Sequence, residues 1–214
     1  MKEETTESHF NITPEEIEEN HQRFESRMQK YLDEGHDRLA AMRFVIGSGE
    51  PLIGPALDVG TGKGITAIEL AGRGLRVDSV DIDPEEQRFA AMNVKYAGLQ
   101  DLVTFHSQDA SSLPFESRSF GCAVMVDVLH HLEDARPVLK EISRLVMPHG
   151  RFVMADFNSD GFDLVAKIHR DEGREHKVGP VSMDQAISIV VDSGMEMRAR
   201  RSDFLHDVAV FSAI

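Results

Sequence analysis

The run LDVGTGKG places Gly60, Gly62 and Gly64 between a short apolar segment and an amphipathic one. Glycines at such a junction let the backbone turn tightly and approach a ligand closely, and the helix that follows offers free N–H groups and a positive dipole end. Alone, that points to a nucleotide-like ligand. Dinucleotide loops prefer G-x-G-x-x-G, with phosphates at the helix N-terminus, whereas this loop reads G-x-G-x-G and is preceded by Asp58. A carboxylate two residues before the first glycine suits an ammonium or sulfonium group better than a pyrophosphate. Asp81 ends the next apolar run, where it is placed to accept hydrogen bonds from both hydroxyls of a ribose. Ile82 is placed to pack on an adenine face. Asp109 and Ala110, in SQDASSLPF, are placed to read the adenine edge with a carboxylate and a backbone N–H.

Two groups of histidines add candidate acid–base chemistry. His130 and His131 follow an apolar strand in VDVLHHLED, and fit either a structural role, with one ring oriented beside the ligand, or general-base work. In AKIHRDEGREHKVG, a continuous helix would set His169, Glu172 and His176 on one face. Two imidazoles and a carboxylate make a weak candidate set for a divalent metal with an open position. The competing reading is a solvated helix face, which Gly173 favours by weakening the helix. Arg170 and Arg174 in the same segment are alternative anchors for an anionic substrate.

The elements that must hold these residues alternate. PALDVG (55–60), LRVDSVDID (75–83), LVTFHSQDA (102–110), SFGCAVMVDVLHHL (119–132) and GRFVMADF (150–157) read as strands or strands running into loops. Helices are predicted over 65–74, 84–98 and 134–150. Parallel strands need helical, right-handed crossovers, so the alternation predicts a parallel doubly wound sheet. Further helices are predicted near 160–175 and 182–193. Two strands follow, 196–204 and 206–214, joined by a turn too short for anything but antiparallel pairing.

Upstream, Thr13, Pro14 and Glu16 form a helix start with a capping box. Ile17, Phe24, Met28, Tyr31 and Leu32 then fall on one stripe. A second helix is predicted over 36–46. These helices either cover a sheet edge or form a substrate lid. Residues 1–50 are therefore expected to be an acidic segment and helical lid, and 51–214 the catalytic domain.

LDVGTGKG, VDIDPEE, SQDASSLPFESRSFG, VDVLHHLED and LVMPHGRFVMADF together resemble the class I S-adenosylmethionine-dependent methyltransferases, close to the small-molecule branch that includes quinone-pathway enzymes. The resemblance covers about residues 52–157. It implies an α/β Rossmann-like sheet of seven strands in the order 3-2-1-4-5-7-6, strand 7 antiparallel, with helices on both faces. It also implies that Asp58, Gly60, Gly62 and Gly64 contact the methionine part of S-adenosylmethionine and that Asp81 holds the ribose. Ile82 would flank the adenine, Asp109 and Ala110 would recognise it, and Val126 and Asp127 would meet the methionine amino group. Lys63 departs from that pattern, a cation near a cationic cofactor, and is expected to point to solvent.

The function that follows is in-line methyl transfer to a small-molecule acceptor. A thiolate acceptor needs little base catalysis, whereas an oxygen acceptor needs a base from His130, His131, His169 or His176. Two alternatives stay open: a non-catalytic cofactor-binding or partner-binding protein on the same fold, and a NAD-dependent oxidoreductase, which the glycine spacing and Asp58 disfavour. The chain has 214 residues and a formal net charge of −14, which argues against nucleic acid or an anionic membrane as partner, since phosphate binding is won by Lys and Arg. No apolar run approaches membrane-span length, and Cys122 is a lone cysteine, so a cytoplasmic protein is expected. A homo-oligomer is compatible with the sequence.

Overall fold

The computed structural model describes residues 10–174 and 178–214. Its seven strands are β1 (Ala56–Val59), β2 (Val77–Asp81), β3 (Val103–Ser107), β4 (Phe120–Val126), β5 (Val146–Phe157), β6 (Met195–Asp203) and β7 (His206–Ala213). They form one sheet in the order β3-β2-β1-β4-β5-β7-β6. Pairing is parallel from β3 through β5, and β7 runs antiparallel to both β5 and β6. The expected topology is the observed one.

The period-two alternation of side chains along each strand sorts the core into two layers. Leu57, Ala123, Met125, Phe152, Met154, Ala209 and Phe211 face one way, and pack with Leu139, Ile142 and Val190. Those three lie on α5 (Arg136–Leu145) and α7 (Met183–Asp192). Ala56, Cys122, Val124, Val153, Ala155, Val208 and Val210 face the other way, toward Val45, Leu70 and Val94. These belong to α2 (Arg38–Ser48), α3 (Ile65–Gly72) and α4 (Pro84–Tyr96). Such strands, apolar on both faces, are what a sheet with helices on both sides requires.

Residues 108–119 cross from β3 to β4 as turns and loop, closed by Ser112 donating to the Asp109 carbonyl and by Leu113 donating to Glu141. Two boundaries differ from the sequence reading. β5 starts at Val146, inside the predicted 134–150 helix, because Val146 is already extended at the end of α5. Helix α6 (Ser159–Asp171) stops short of residue 175, at Gly173 with φ +70°, a conformation that glycine alone adopts freely.

Helix α1 (Pro14–Asp33) has the predicted capping box between Thr13 and Glu16. Tyr31 is buried, and Phe24 and Met28 pack against the core, but Leu32 of the predicted stripe is 48% exposed. Helix α2 supplies Met42, Val45 and Ile46 to the sheet core itself, so it is continuous with the domain. Helix α1 is held at both ends instead. Near its start, the amide of Asn20 donates to Asn93 Oδ1 at 2.7 Å, and Asn93 donates to the Lys63 carbonyl in the glycine loop at 2.9 Å. Near its end, Lys30 binds Glu172 at 2.8 Å, just beyond α6. The helix therefore runs from the glycine-loop side of the molecule to the β5 side.

Both asparagines are buried. An Asn93→Ala change strips the Asn20 amide of its acceptor and the Lys63 carbonyl of its donor, and leaving buried polar groups unpaired costs about 1–3 kcal/mol. Urea denaturation should show a loss of that size, and a loss under about 0.5 kcal/mol would mean that water replaces the pair.

Candidate functional site

The carboxyl ends of β1 and β4 point to the same edge of the sheet, and strand order reverses between them. Chains leaving the two strands diverge there, and a crevice opens. The glycine loop follows β1. Gly60 has φ +84°, and a Cβ on it would stand 2.1 Å from Val128 Cγ2 in the loop after β4. Gly64 has φ +80°, and a Cβ on it would meet Ala90 of α4 at 3.0 Å. Those two glycines thus serve close packing as well as turning. Nothing stands within 4 Å of a Cβ built on Gly62, so the open side of the loop lies there.

Asp81, at the end of β2, accepts a hydrogen bond from Gly62 N at 3.0 Å and another from Asp83 N at 3.0 Å. The loop and the end of β2 are therefore clamped by one half-buried carboxylate that keeps further acceptor capacity. Ile82 beside it is 74% exposed, a large apolar side chain with no protein to cover it. Asp109 is exposed and accepts from Ser111 N at 2.8 Å, a bond that lowers its pKa, and Ala110 is half-buried. Lys63 does not reach for solvent alone: its ammonium binds Glu86 at 2.8 Å and lies over the Phe89 ring at 4.1 Å.

Asp58 departs from the expectation that it faces a cationic ligand directly. It pairs with Ser79 in the β1–β2 register, is 1% exposed, and accepts a 2.7 Å hydrogen bond from Ser79, whose hydroxyl also meets Thr61 at 2.7 Å. Burial pushes its pKa up to about 7, against the opposing Ser79 hydrogen bond. Its Oδ1 is buried without a hydrogen-bond partner. The orphaned oxygen, the open flank of Gly62 and the bare Ile82 fit a cationic, ribose-bearing ligand above this loop.

On the other side of the crevice the structure assembles groups that the sequence kept apart. Val126 is buried at the end of β4, and Asp127 follows it with φ +57°, a region uncommon for non-glycine residues. Asp127 Oδ1 lies 3.0 Å from His206 Nε2, and Oδ2 lies 3.5 Å from the Arg38 guanidinium. His206 Nδ1 faces the Phe204 carbonyl at 2.8 Å. Both partners of this ring are acceptors, so both nitrogens carry hydrogen and the ring is an imidazolium. In agreement, burial alone would lower the His206 pKa, but the Asp127 charge and hydrogen bond raise it above its ordinary value. Burial likewise acts to raise Asp127, and His206 and Arg38 outweigh it to leave a lowered pKa.

His206 owes its place to the β6–β7 turn, where Phe204 and Leu205 take φ +48° and +63°. Two successive left-handed residues match the twist of a tight hairpin, but they are normally Asn or Gly. Strain of this kind gathers at functional sites. His36, 2% exposed, has its ring centroid 5.7 Å from that of His206, and its Nε2 is buried without a hydrogen-bond partner. Burial, with His206 and Arg38 nearby, lowers its pKa to about 4.

His130 is buried and oriented. Its Nδ1 lies 2.7 Å from Asp156 Oδ1, and its backbone N–H donates to Asp156 Oδ2 at 2.8 Å. Phe157 N also donates to Asp156. Asp156, which can only accept, therefore fixes the hydrogen on Nδ1 and orients the ring. His131 is exposed, its ring 4.0 Å from that of His130. His36, Arg38 and His206 carried no local motif, and Asp156, inside LVMPHGRFVMADF, carried no assigned role: His206 lies 79 residues from Asp127 in the chain, and Asp156 lies 26 from His130.

The candidate metal set lies only partly among the described residues: His169 is on α6, and Glu172 lies past its end, beside Gly173 with φ +70°. Glu172 is claimed by Lys30 at 2.8 Å, by Arg27 at 3.7 Å and by Arg174. Burial opposes them, but the Arg174 and Lys30 hydrogen bonds carry its pKa down to about 2. His176 lies outside the described residues. No group of three potential ligands that could hold a metal occurs among the described residues, and no described helix is long and apolar enough to cross a membrane.

Residues 57–154 match the family model described as "Methyltransferase domain". The chain is 30% identical over 165 residues to a 27-O-demethylrifamycin SV methyltransferase of Amycolatopsis mediterranei, covering 75% of this chain and 58% of that relative, less than two thirds of its length. It is 25% identical over 170 residues to the ubiquinone/menaquinone biosynthesis C-methyltransferase UbiE of Syntrophotalea carbinolica, covering 78% and 70%. The fold is that of a solved geranyl diphosphate methyltransferase in complex with SAM, with a TM-score of 0.67, 15% identity and coverage of 89% and 90%.

Asp58 makes the cofactor-free protein sensitive to pH. Its folded pKa is raised from 3.8 to about 7, so between those values the folded state binds more protons than the unfolded one. Stability falls as pH rises through that window. Asp58→Asn should flatten this decline, measured as urea-unfolding free energy between about pH 4 and 8; an unchanged slope in the variant would assign the dependence elsewhere.

Proposed function

We propose that this chain, whose residues 57–154 belong to the class I S-adenosylmethionine-dependent methyltransferases, transfers the cofactor's sulfonium methyl group to a small-molecule acceptor. The observation that carries the reading is the clamp between Asp81 and Gly62 N at 3.0 Å, which sets a ribose-binding carboxylate against the open side of a G-x-G-x-G loop. Bound there, the cofactor supplies an electrophilic methyl group on a positive sulfur. The residues of this chain position and desolvate it. Asp81 holds the ribose hydroxyls, Ile82 covers one face of the adenine, and Asp109 with the Ala110 N–H reads its edge. The Gly60–Gly64 loop lets backbone approach the methionine part, above the buried Asp58, and Val126 with Asp127 borders the same part from β4.

The acceptor belongs on the β4–β5 side, where the crevice continues past Asp127. Alignment of nucleophile, methyl and sulfur is the main catalytic contribution in a displacement of this kind. His130 is the base of choice for an oxygen or nitrogen acceptor, because Asp156 presets its tautomer and a positioned imidazole adds proton removal without reorganisation. His131, exposed, and His169, on α6, are the other described candidates, and a thiolate acceptor would need none of them. Relatives named for 27-O-demethylrifamycin SV and for ubiquinone/menaquinone biosynthesis support a small acceptor, as does the charge of −14, unfavourable for nucleic acid.

Isothermal titration should show S-adenosylmethionine and S-adenosylhomocysteine binding to the purified protein, and Asp81→Ala should weaken both by about tenfold or more, the loss of one or two charge-assisted hydrogen bonds. Binding of NADH in their place, or unchanged affinity in Asp81→Ala, would overturn the reading. With an acceptor in hand, Asp156→Asn should lower kcat by about a hundredfold with KM little changed, the size of a lost general base.

A further inference from the structure

We propose that Arg38, His206 and His36 form the seat for an anionic group on the methyl acceptor, an organic carboxylate, phenolate or enolate, so that the substrate is bound as its conjugate base. This rests on the methyltransferase reading above and goes beyond it by naming an acceptor class.

Charge balance comes first. The His206 imidazolium and the Arg38 guanidinium share the carboxylate of Asp127 in a largely buried setting. Asp37, the adjacent acid, keeps its charge, which acts on His36, but its Oδ1 is turned to the α2 cap, accepting from Ala40 N at 2.9 Å. The groups around His206 and His36 are then Asp127, Arg38 and Asp37, with His130 beyond Asp127. Two largely buried cations that share one bonded carboxylate are costly unless a further anion meets them.

The second observation is unused hydrogen-bonding capacity. Arg38 stacks on Tyr31, its guanidinium carbon 4.8 Å from the ring centroid. It approaches Asp127 only at 3.5 Å, beyond good hydrogen-bond range, and its side chain is about one fifth exposed. Its planar donor fork suits a bidentate carboxylate. His36 Nε2 is buried with no partner; as an N–H donor it completes the seat. Tyr31 and Phe157 supply aromatic walls, the latter 4.7 Å from the His206 ring. All of these surround the ends of β4, β5 and β7, beyond the residue that borders the methionine subsite.

The seat has a pH signature opposite to that of a general base. His206, raised above its ordinary value of 6.5, loses its charge as pH rises through the raised pKa, and anion affinity should be lost with it. A base, in contrast, becomes competent as pH rises.

The cofactor also carries a carboxylate, so the test separates the two sources. The protein alone and the protein saturated with S-adenosylhomocysteine are each titrated with benzoate and with its neutral isostere benzamide, followed by nitrogen-15 histidine NMR. Benzoate should bind the saturated protein and raise the His206 pKa further, benzamide should do neither, and benzoate affinity should fall from about pH 6 to pH 9. Arg38→Gln should weaken benzoate about tenfold, with Arg38→Lys intermediate; because Arg38 is partly exposed, this variant tests the seat even where His206→Gln does not fold. Four outcomes overturn the proposal: benzoate bound only without S-adenosylhomocysteine, which gives the seat to the cofactor's carboxylate; benzoate and benzamide alike; no benzoate binding to either form; or full benzoate affinity in Arg38→Gln. Failure of the function reading shows separately, as absence of S-adenosylhomocysteine binding.

Discussion

Right-handed crossovers constrain everything at the open edge of this sheet. Chains leaving β1 and β2 must pass over one face through α3 and α4, and the chain leaving β4 must pass over the other through α5. Between β1 and β4 the two directions part, and the backbone cannot fill the gap it leaves. The close contact of Gly60 with Val128 sets how narrow that gap is. A side chain at position 60 would push the β4 loop outward, and with it Asp127, His130 and the groups they hold. The glycine loop is thus a packing device for the far side of the crevice as much as a cradle for a ligand.

Charge is divided along the rim. Asp58, Asp81 and Asp109 lie on the β1–β3 side, although Asp58 acts from inside the fold. Arg38 and His206 lie on the β4–β7 side, and Asp127 stands between, claimed by both. A net charge of −14 makes that cationic corner a local exception, and it is built from residues on α2 and β7 that approach only in the folded chain. Helix α1 spans the two sides, tied to the glycine loop through Asn20 and Asn93 and to the end of α6 through Lys30 and Glu172.

The division explains which parts were legible in the sequence. Strand positions, the antiparallel end and the Thr13 capping box could be read because they depend on local periodicity and on turn length, whereas the strand order was implied by the family resemblance. The loop glycines and Asp81 could be read because a tight turn beside a strand end leaves few residue choices. His206 could not, since its position depends on a hairpin turn made of Phe204 and Leu205, residues that signal strand rather than turn. Asp156 looked like one more strand residue until the 3-10 turn at Leu129–His131 brought His130 over it. The helical spacing behind the His169, Glu172 and His176 set assumed a helix that ends at Asp171, before Glu172.

A cationic seat raises a question about rate. Methyl transfer from a sulfonium to an anionic nucleophile removes one positive and one negative charge together, so a dry site favours it. A cation bonded to the nucleophilic atom would stabilise the ground state more than the transition state, and would slow the step. The geometry resolves the conflict if the anion bound by Arg38 and His36 lies apart from the reacting atom. The seat then contributes uniform binding and orientation, and the bound anion keeps its counter-charge through the step. His130, held by Asp156, is left to handle the proton of the reacting group. Binding charge and moving a proton would thus fall to two histidines, one fixed as an imidazolium by two acceptors and the other oriented by Asp156.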